Sequence, residues 1–261
     1  MEVHHHLQTP RKKWTHYFWE FFMLFLAVTA GFFIENQREH YIENKRAKAY
    51  ARLLIDDLAV DTAELNKAQK VWTNIITAGD SLTRLLNNKD INNIPGGKLY
   101  YYEYWSGWSW NVISRNATFQ QLTSSGAMRY MGDTSLIRKL LAYEEAIKII
   151  YLLQEKYAPE KTENWKLVQK VFDQAYFDTL ETIKLAARDS TRLLYNTEPG
   201  VVAFLNRDYP LITYDKNILM ELKNWAHTSC RNYRMLSKSI ISTKQRAVDV
   251  IEALKKEYHL E

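Results

Sequence analysis

Residues 58–86 read LAVDTAELNKAQKVWTNIITAGDSLTRLL, and their spacing decides the fold class. Apolar side chains recur in alternating steps of three and four at Leu58, Leu65, Ala68, Trp72, Ile75, Leu82 and Leu86. Asp61 and Gly79 occupy the same stripe without fitting it. This spacing lays one apolar stripe along a helix of 3.6 residues per turn. The period returns in Leu136, Leu140, Tyr143, Ile147, Ile150, Leu153 and Tyr157, and continues beyond Pro159 in Trp165, Val168, Phe172 and Ala175. It recurs in Leu222, Trp225, Ser229, Tyr233, Leu236 and Ile240, then in Ala247, Ile251, Leu254 and Tyr258. Helices with one apolar stripe and one charged side are stable only when stripes pack together. The expected fold is therefore all-α, an antiparallel bundle of long helices over residues 35–261. Only 8 Gly and 5 Pro occur in 261 residues, too few turn residues for an all-β chain.

The breaks expected between helices are Asn92 to Gly97, Ser124-Ser125-Gly126, Gly132-Asp133, Glu198-Pro199-Gly200 and Tyr209-Pro210. Asp133 ahead of Thr134 reads as an N-cap. Pro159 reads as a kink or as the first turn of a new helix.

Upstream lies FFMLFLAVTAGFFI, Phe21 to Ile34, fourteen residues without a charge. Fourteen helical residues reach ~21 Å against ~30 Å of hydrocarbon. Tyr17, Phe18 and Trp19 extend the run to ~27 Å, with Glu20 as its one charge, close enough to the end to reach the interface. Trp14, Tyr17 and Trp19 form an interfacial aromatic belt. We expect a transmembrane helix over 17–34 that continues, with no Gly or Pro between, into a first bundle helix over about residues 38–88. Val28-Thr29-Ala30 could pass for a signal-peptide cleavage site. The apolar run continues through Phe32, Phe33 and Ile34, however, and Glu20 would interrupt a signal core, so an uncleaved anchor is expected.

Arg11, Lys12 and Lys13 precede the span, and Arg38, Lys45, Arg46 and Lys48 follow it. By count this is nearly a tie, but the triplet sits tight against the span, as in a signal anchor. The expected arrangement is a cytoplasmic tail over 1–16, an inner-membrane span and a periplasmic helical domain.

The remaining composition excludes several classes. The 35 basic residues are set against 30 acidic ones, a net charge of +5. That describes a mixed, solvated surface, and no nucleic-acid partner is expected. The single cysteine, Cys230, rules out an internal disulfide framework and a cysteine zinc site. His4, His5 and His6 lie adjacent on a tail and do not converge on one ion, so no metal site is expected. No His-Glu-x-x-His, G-x-S-x-G or P-loop motif occurs. His227 and Cys230 are three residues apart but lack a third catalytic group. Glu144 and Glu145 read as a solvated helix side. No cofactor and no enzymatic activity are expected.

Two clusters remain as candidates. Glu20, Ala27 and Gly31 share one face of the span. Ala27-x-x-x-Gly31 permits close helix approach, and a carboxylate in a span is a functional candidate. The second cluster is YYYEYWSGWSW, with Tyr100, Tyr101, Tyr102, Tyr104, Trp105, Trp108 and Trp110 inside eleven positions. It could plug one end of the bundle, contact a ligand or glycan, or lie on a membrane surface.

The opening MEVHHH and YFWEFFMLFLAVTAGFFIENQREH, the central NATFQQLTSSGAMRYM (Asn116 to Met131) and the closing LKKEYHLE resemble a family of uncharacterised single-pass envelope proteins typical of the Bacteroidota. Related membrane-anchored families carry a similar turn, here Leu122, Ser124, Ser125 and Gly126. The resemblance implies an envelope protein with one span and a helical domain, and brings no activity with it. The expected role is a non-enzymatic interaction or scaffold module in the bilayer, with a protein partner or as a homo-oligomer. The alternative is a periplasmic ligand-sensing subunit that acts through a partner, since sixteen residues ahead of the span leave no room for an output domain.

Overall fold

A computed structural model describes residues 14–186 and 199–260. The expected histidine cluster, His4 to His6, and the break at Glu198 lie outside the described residues. Every regular element among the described residues is helical. They are α1 (Trp14–Leu86), α2 (Gly96–Ser106), α3 (Ala117–Ser124), α4 (Thr134–Val171), α5 (Gln174–Ala186), α6 (Pro199–Leu205) and α7 (Lys216–Tyr258). Short 3-10 turns lie at Ile91–Asn93 and Ala127–Tyr130. The chain divides into two compact units between Tyr50 and Ala51.

In the first unit the described residues belong to α1. Its apolar stretch near the N-terminus has mean hydropathy 1.8 over 18 residues, none of them buried within the chain. This one helix is long and apolar enough to cross a membrane. No proline stands between Trp14 and Leu86, and the only glycines there are Gly31 and Gly79, so nothing stops the helix for 73 residues.

In the second unit the stripes read from the sequence form the core. Leu58, Leu65, Ala68, Trp72, Ile75 and Leu82 are buried on α1, Leu136, Leu140, Tyr143, Ile147 and Ile150 on α4, and Leu222, Tyr233, Leu236, Ile240, Ala247 and Leu254 on α7. Each fully buried large apolar side chain contributes roughly 1.5–3 kcal/mol, which is what holds helices of this length together. Helix α7 opposes both long neighbours. Arg246 of α7 reaches the Ala142 carbonyl of α4, while Trp225 reaches Glu160. Lys244 of α7 meets Gln69 of α1, and Arg234 meets Asp80. These pairings are antiparallel, as expected. Helices α1 and α4 run the same way, because the chain crosses back between them.

That crossover is a non-helical strap, residues 107–116, laid between α1 and α4. An irregular segment must find partners for its buried backbone groups, and here side chains supply them. Val112 N donates to Gln154 Oε1 at 2.8 Å, and Ser114 N to the Tyr151 hydroxyl at 2.8 Å. Arg115 N donates to Asp61 Oδ1 at 2.7 Å. Asp61 Oδ2 also accepts from Ser114 Oγ at 2.7 Å and from the Tyr143 hydroxyl at 2.6 Å. Asp61 is 2% exposed, and its place in the apolar stripe is explained by these three donors. Trp110 of the strap donates to Glu64 and accepts from Trp72 Nε1, with the Lys67 ammonium 4.1 Å from its ring centre.

Several breaks have local causes. Asp133 caps α4 by accepting from Leu136 N at 2.9 Å. Pro159 lies inside α4 and neither ends nor opens a helix. The expected continuation through Phe172 and Ala175 does not hold. Phe172 is extended (φ −119°, ψ 132°), and the Asp173 carboxylate accepts from Ala175 N at 3.0 Å to start α5. At Gly97 a Cβ would stand 1.9 Å from the Phe204 carbonyl oxygen, so only glycine lets the start of α2 approach α6.

Candidate functional site

The aromatic run 100–110 divides between α2 and the strap. Tyr100, Tyr101 and Trp105 are buried in the core. Tyr100 packs edge-on against Phe172, Tyr176 and Phe177 with ring centres 4.9–5.3 Å apart. Its hydroxyl donates to the Pro210 carbonyl and accepts from Asp173 N, each at 2.9 Å, and burial pushes its pKa up to about 12. Tyr102, Tyr104, Trp108 and Trp110 are half-buried. Tyr102 packs on Tyr101, and Trp110 belongs to the strap contacts with α1. The seven rings therefore form no single exposed patch.

Tyr104 and Trp108 instead wall a cavity of about 340 Å³, within the range of small-molecule sites. Helices α4, α5 and α7 complete it with Trp165, Phe177 and Trp225. Its polar lining is three carboxylates (Glu103, Asp178 and Glu181), one amine (Lys161) and the amides of Asn164 and Gln174. Trp165 was expected on the buried stripe, yet it is 53% exposed because it stands at the rim of this cavity. Two other depressions, at Thr134 to Ala142 (about 530 Å³) and between Arg52 and Leu260 (about 410 Å³), are larger, but they are more open to solvent, lack aromatic walls and are lined largely by exposed side chains. The cleft on the other side of Lys161 holds only about 30 Å³, room for about one or two waters.

Glu103 is the least expected member. It sits on α2 amid the aromatic run and is 2% exposed. Its Oε1 faces Asn164 Nδ2 at 3.3 Å, and its Oε2 faces Ser106 Oγ at 3.3 Å. Among the described residues no ion pair neutralises it, and burial pushes its pKa up to about 8 against the pull of these two hydrogen bonds. Asn164 is 6% exposed, and its Oδ1 has no hydrogen-bond partner. Burial without a partner costs about 1–3 kcal/mol for such a group. The Lys161 ammonium lies 5.9 Å from the Tyr233 ring centre, a residue of the small cleft, and burial lowers its pKa.

Three other wall groups are engaged within the protein. The Tyr104 hydroxyl is bonded to Glu181, Gln174 Nε2 donates to the Phe172 carbonyl at 3.2 Å, and Trp225 Nε1 donates to the Glu160 carbonyl at 3.2 Å.

The remaining sequence candidates fall elsewhere. Glu20, Ala27 and Gly31 are exposed along one face of α1, and a Cβ built at Gly31 meets nothing within 4 Å. Glu20 Oε1 lies 3.1 Å from His16 Nε2. Cys230 is buried, with its thiol pushed up to about 12 by burial, while His227 is exposed; the two do not share a site. Glu144 departs from the expected solvated pair. It is 8% exposed, and burial together with the nearby Asp61 raises its pKa to about 7, whereas Glu145 is exposed. No group of three or more His, Cys, Asp or Glu residues suited to a metal ion occurs among the described residues.

Comparison with protein-family models, curated proteins and solved structures returns no match. The geometry of the site therefore carries the functional reading.

Proposed function

We propose that this chain is a single-pass inner-membrane protein whose periplasmic helical domain captures a small molecule in the Glu103 cavity. In this reading it is a ligand-sensing subunit that signals through a partner protein, with its N-terminus in the cytoplasm. The observation that carries the reading is the cavity itself, lined by five aromatic rings and by the buried side chains of Glu103 and Asn164. Apolar walls with a few converging polar groups are the usual form of a small-molecule site. The apolar stretch of α1 and the family resemblance support the envelope placement, and the Arg11-Lys12-Lys13 triplet supports the orientation. The interaction-scaffold role is the second reading and rests on the span, where Glu20, Ala27 and Gly31 offer a face for another helix.

Native mass spectrometry of full-length protein, extracted from its own membranes in mild detergent, separates the two. Ligand capture requires a noncovalent adduct of small-molecule mass that Trp108→Ala diminishes. Protein-only complexes with no such adduct, from wild type and variant alike, would transfer the assignment to the scaffold role. A reporter active only in the periplasm, fused after Glu261, should be active; activity of a cytoplasm-only reporter there would reverse the orientation.

A further inference from the structure

Lys161 gives the cavity a chemistry of its own. Resting on the ligand-capture reading, we infer that the cavity takes an aldehyde carried on a flat apolar body and holds it as an imine on Lys161.

Three features converge on this. The first is the position of the amine. Lys161, Asn164, Trp165 and Val168 follow one another at helical spacing on one face of α4, and all four line the cavity. Lys161 also lines the small cleft on its other side, so its stem stands in the partition between the two volumes. Among the described residues Lys161 donates no hydrogen bond and meets no carboxylate at ion-pair distance; its ammonium lies 5.9 Å from the Tyr233 ring centre. No fixed partner therefore holds the amine in the small cleft, and rotation about its flexible stem turns it toward the large cavity.

The second feature is the state of the amine. An ion pair would hold a lysine protonated, and Lys161 has none among the described residues. Burial instead lowers its pKa, which raises the share of neutral, nucleophilic amine.

The third feature is the rest of the wall. Tyr104, Trp108, Trp165, Phe177 and Trp225 offer aromatic surface to a flat apolar body. The charged groups are of both signs. Lys161 is set against Asp178 and the Tyr104-bonded Glu181, while Glu103 keeps its proton up to about pH 8. An ion of either sign meets its like in this wall, which favours a neutral ligand. An aldehyde is neutral, and its carbonyl carbon is the natural target of the amine. The Lys161 nitrogen attacks that carbon and a C–N bond forms. The C–O bond breaks, and both amine protons leave with the oxygen as water. No oxidant or reductant takes part, and water reverses the step, so the ligand can be released.

The test uses full-length protein in detergent at about pH 7, with benzaldehyde as the probe. Cyanoborohydride reduces any imine to a stable benzylamine, which peptide mass spectrometry locates. Lys139 and Lys170, exposed on the same helix, serve as references. Lys161 should be labelled at least about tenfold faster than either, since an amine about ten times weaker as a base holds about ten times more of its neutral form at that pH. Benzyl alcohol has the same ring and no carbonyl. An excess of it should occupy the cavity and slow labelling of Lys161, with Lys139 and Lys170 unaffected. The comparison is made among lysines of one chain, so it needs no variant to fold. Labelling of Lys161 no faster than Lys139 and Lys170, or a faster rate that benzyl alcohol leaves unchanged, would overturn the imine assignment. A noncovalent adduct on native protein would then leave ligand capture standing, and absence of that adduct as well would remove both.

Discussion

A Cβ built on Gly79 of α1 would stand 2.4 Å from Cys230 Sγ of α7. Two long helices approach so closely there that only hydrogen fits opposite the sulfur. This explains why a glycine, which costs a helix interior up to about 1 kcal/mol relative to alanine, sits in the apolar stripe. Gly79→Ala should therefore destabilise the domain by about 1–3 kcal/mol through overpacking, despite its better helix propensity. Cys230→Ala removes the opposing sulfur, so the double variant should recover most of the loss in urea unfolding. Additive losses in the double variant would show that the two residues do not compete for the space.

Asp61 makes a second prediction. It binds the strap through Ser114 and Arg115 and holds the buried hydroxyl of Tyr143. Asp61→Ala leaves three donors without an acceptor and should cost about 3–5 kcal/mol. Amide exchange at Arg115 should accelerate more than exchange at Leu65 or Ile240 in the core. Uniform acceleration across all three would mean that Asp61 does not act through the strap.

Glu103 gives the domain a pH dependence of known sign. Folded Glu103 holds its proton up to about pH 8, whereas an ordinary glutamate releases it near 4.5. Between these values the native state binds more protons than the unfolded state, so stability falls as pH rises. Glu144 adds the same sign up to about pH 7. The melting temperature of wild type should drop between about pH 5 and pH 9, and Glu103→Gln should drop less. Parallel curves for the two proteins would place the pH dependence elsewhere.

How much of this was legible in the sequence differs by element. The stripes of α1, α4 and α7 could be read directly, because a period of 3.6 depends only on neighbours within a turn or two. The strap could not. Its backbone partners Asp61, Tyr151 and Gln154 lie 37–54 positions away, and nothing local marks a loop supported in that way. A charged residue inside an apolar stripe was the available signal at Asp61. Glu103 carried a similar one, a lone acid amid seven aromatics. Asn164 carried none, since a polar residue near charged neighbours reads as surface until the helices that enclose it are known. Glu144 was misread for a related reason: its neighbour Glu145 does face solvent, and a pair of acids looks alike from the sequence.

Within the span, small residues allow the close packing that holds helices together in lipid. Gly31→Ile should weaken transmembrane association in a membrane two-hybrid assay, whereas Phe33→Ile, off the Glu20, Ala27 and Gly31 face, should not. Equal signals from wild type and Gly31→Ile would leave α1 as a plain anchor.

The most direct measurement of ligand capture is fluorine NMR of full-length protein carrying 5-fluorotryptophan. The chain has 8 Trp, and single Trp→Phe variants assign each resonance. Three of them, Trp108, Trp165 and Trp225, line the Glu103 cavity, while Trp14 and Trp19 lie on the exposed N-terminal stretch of α1. On titration with small-molecule extract of the native cell envelope, the three cavity resonances should shift together and saturate, with Trp14 and Trp19 unmoved. Shifts at Trp14 and Trp19 with the cavity resonances unmoved would contradict the assignment of this cavity as the binding site.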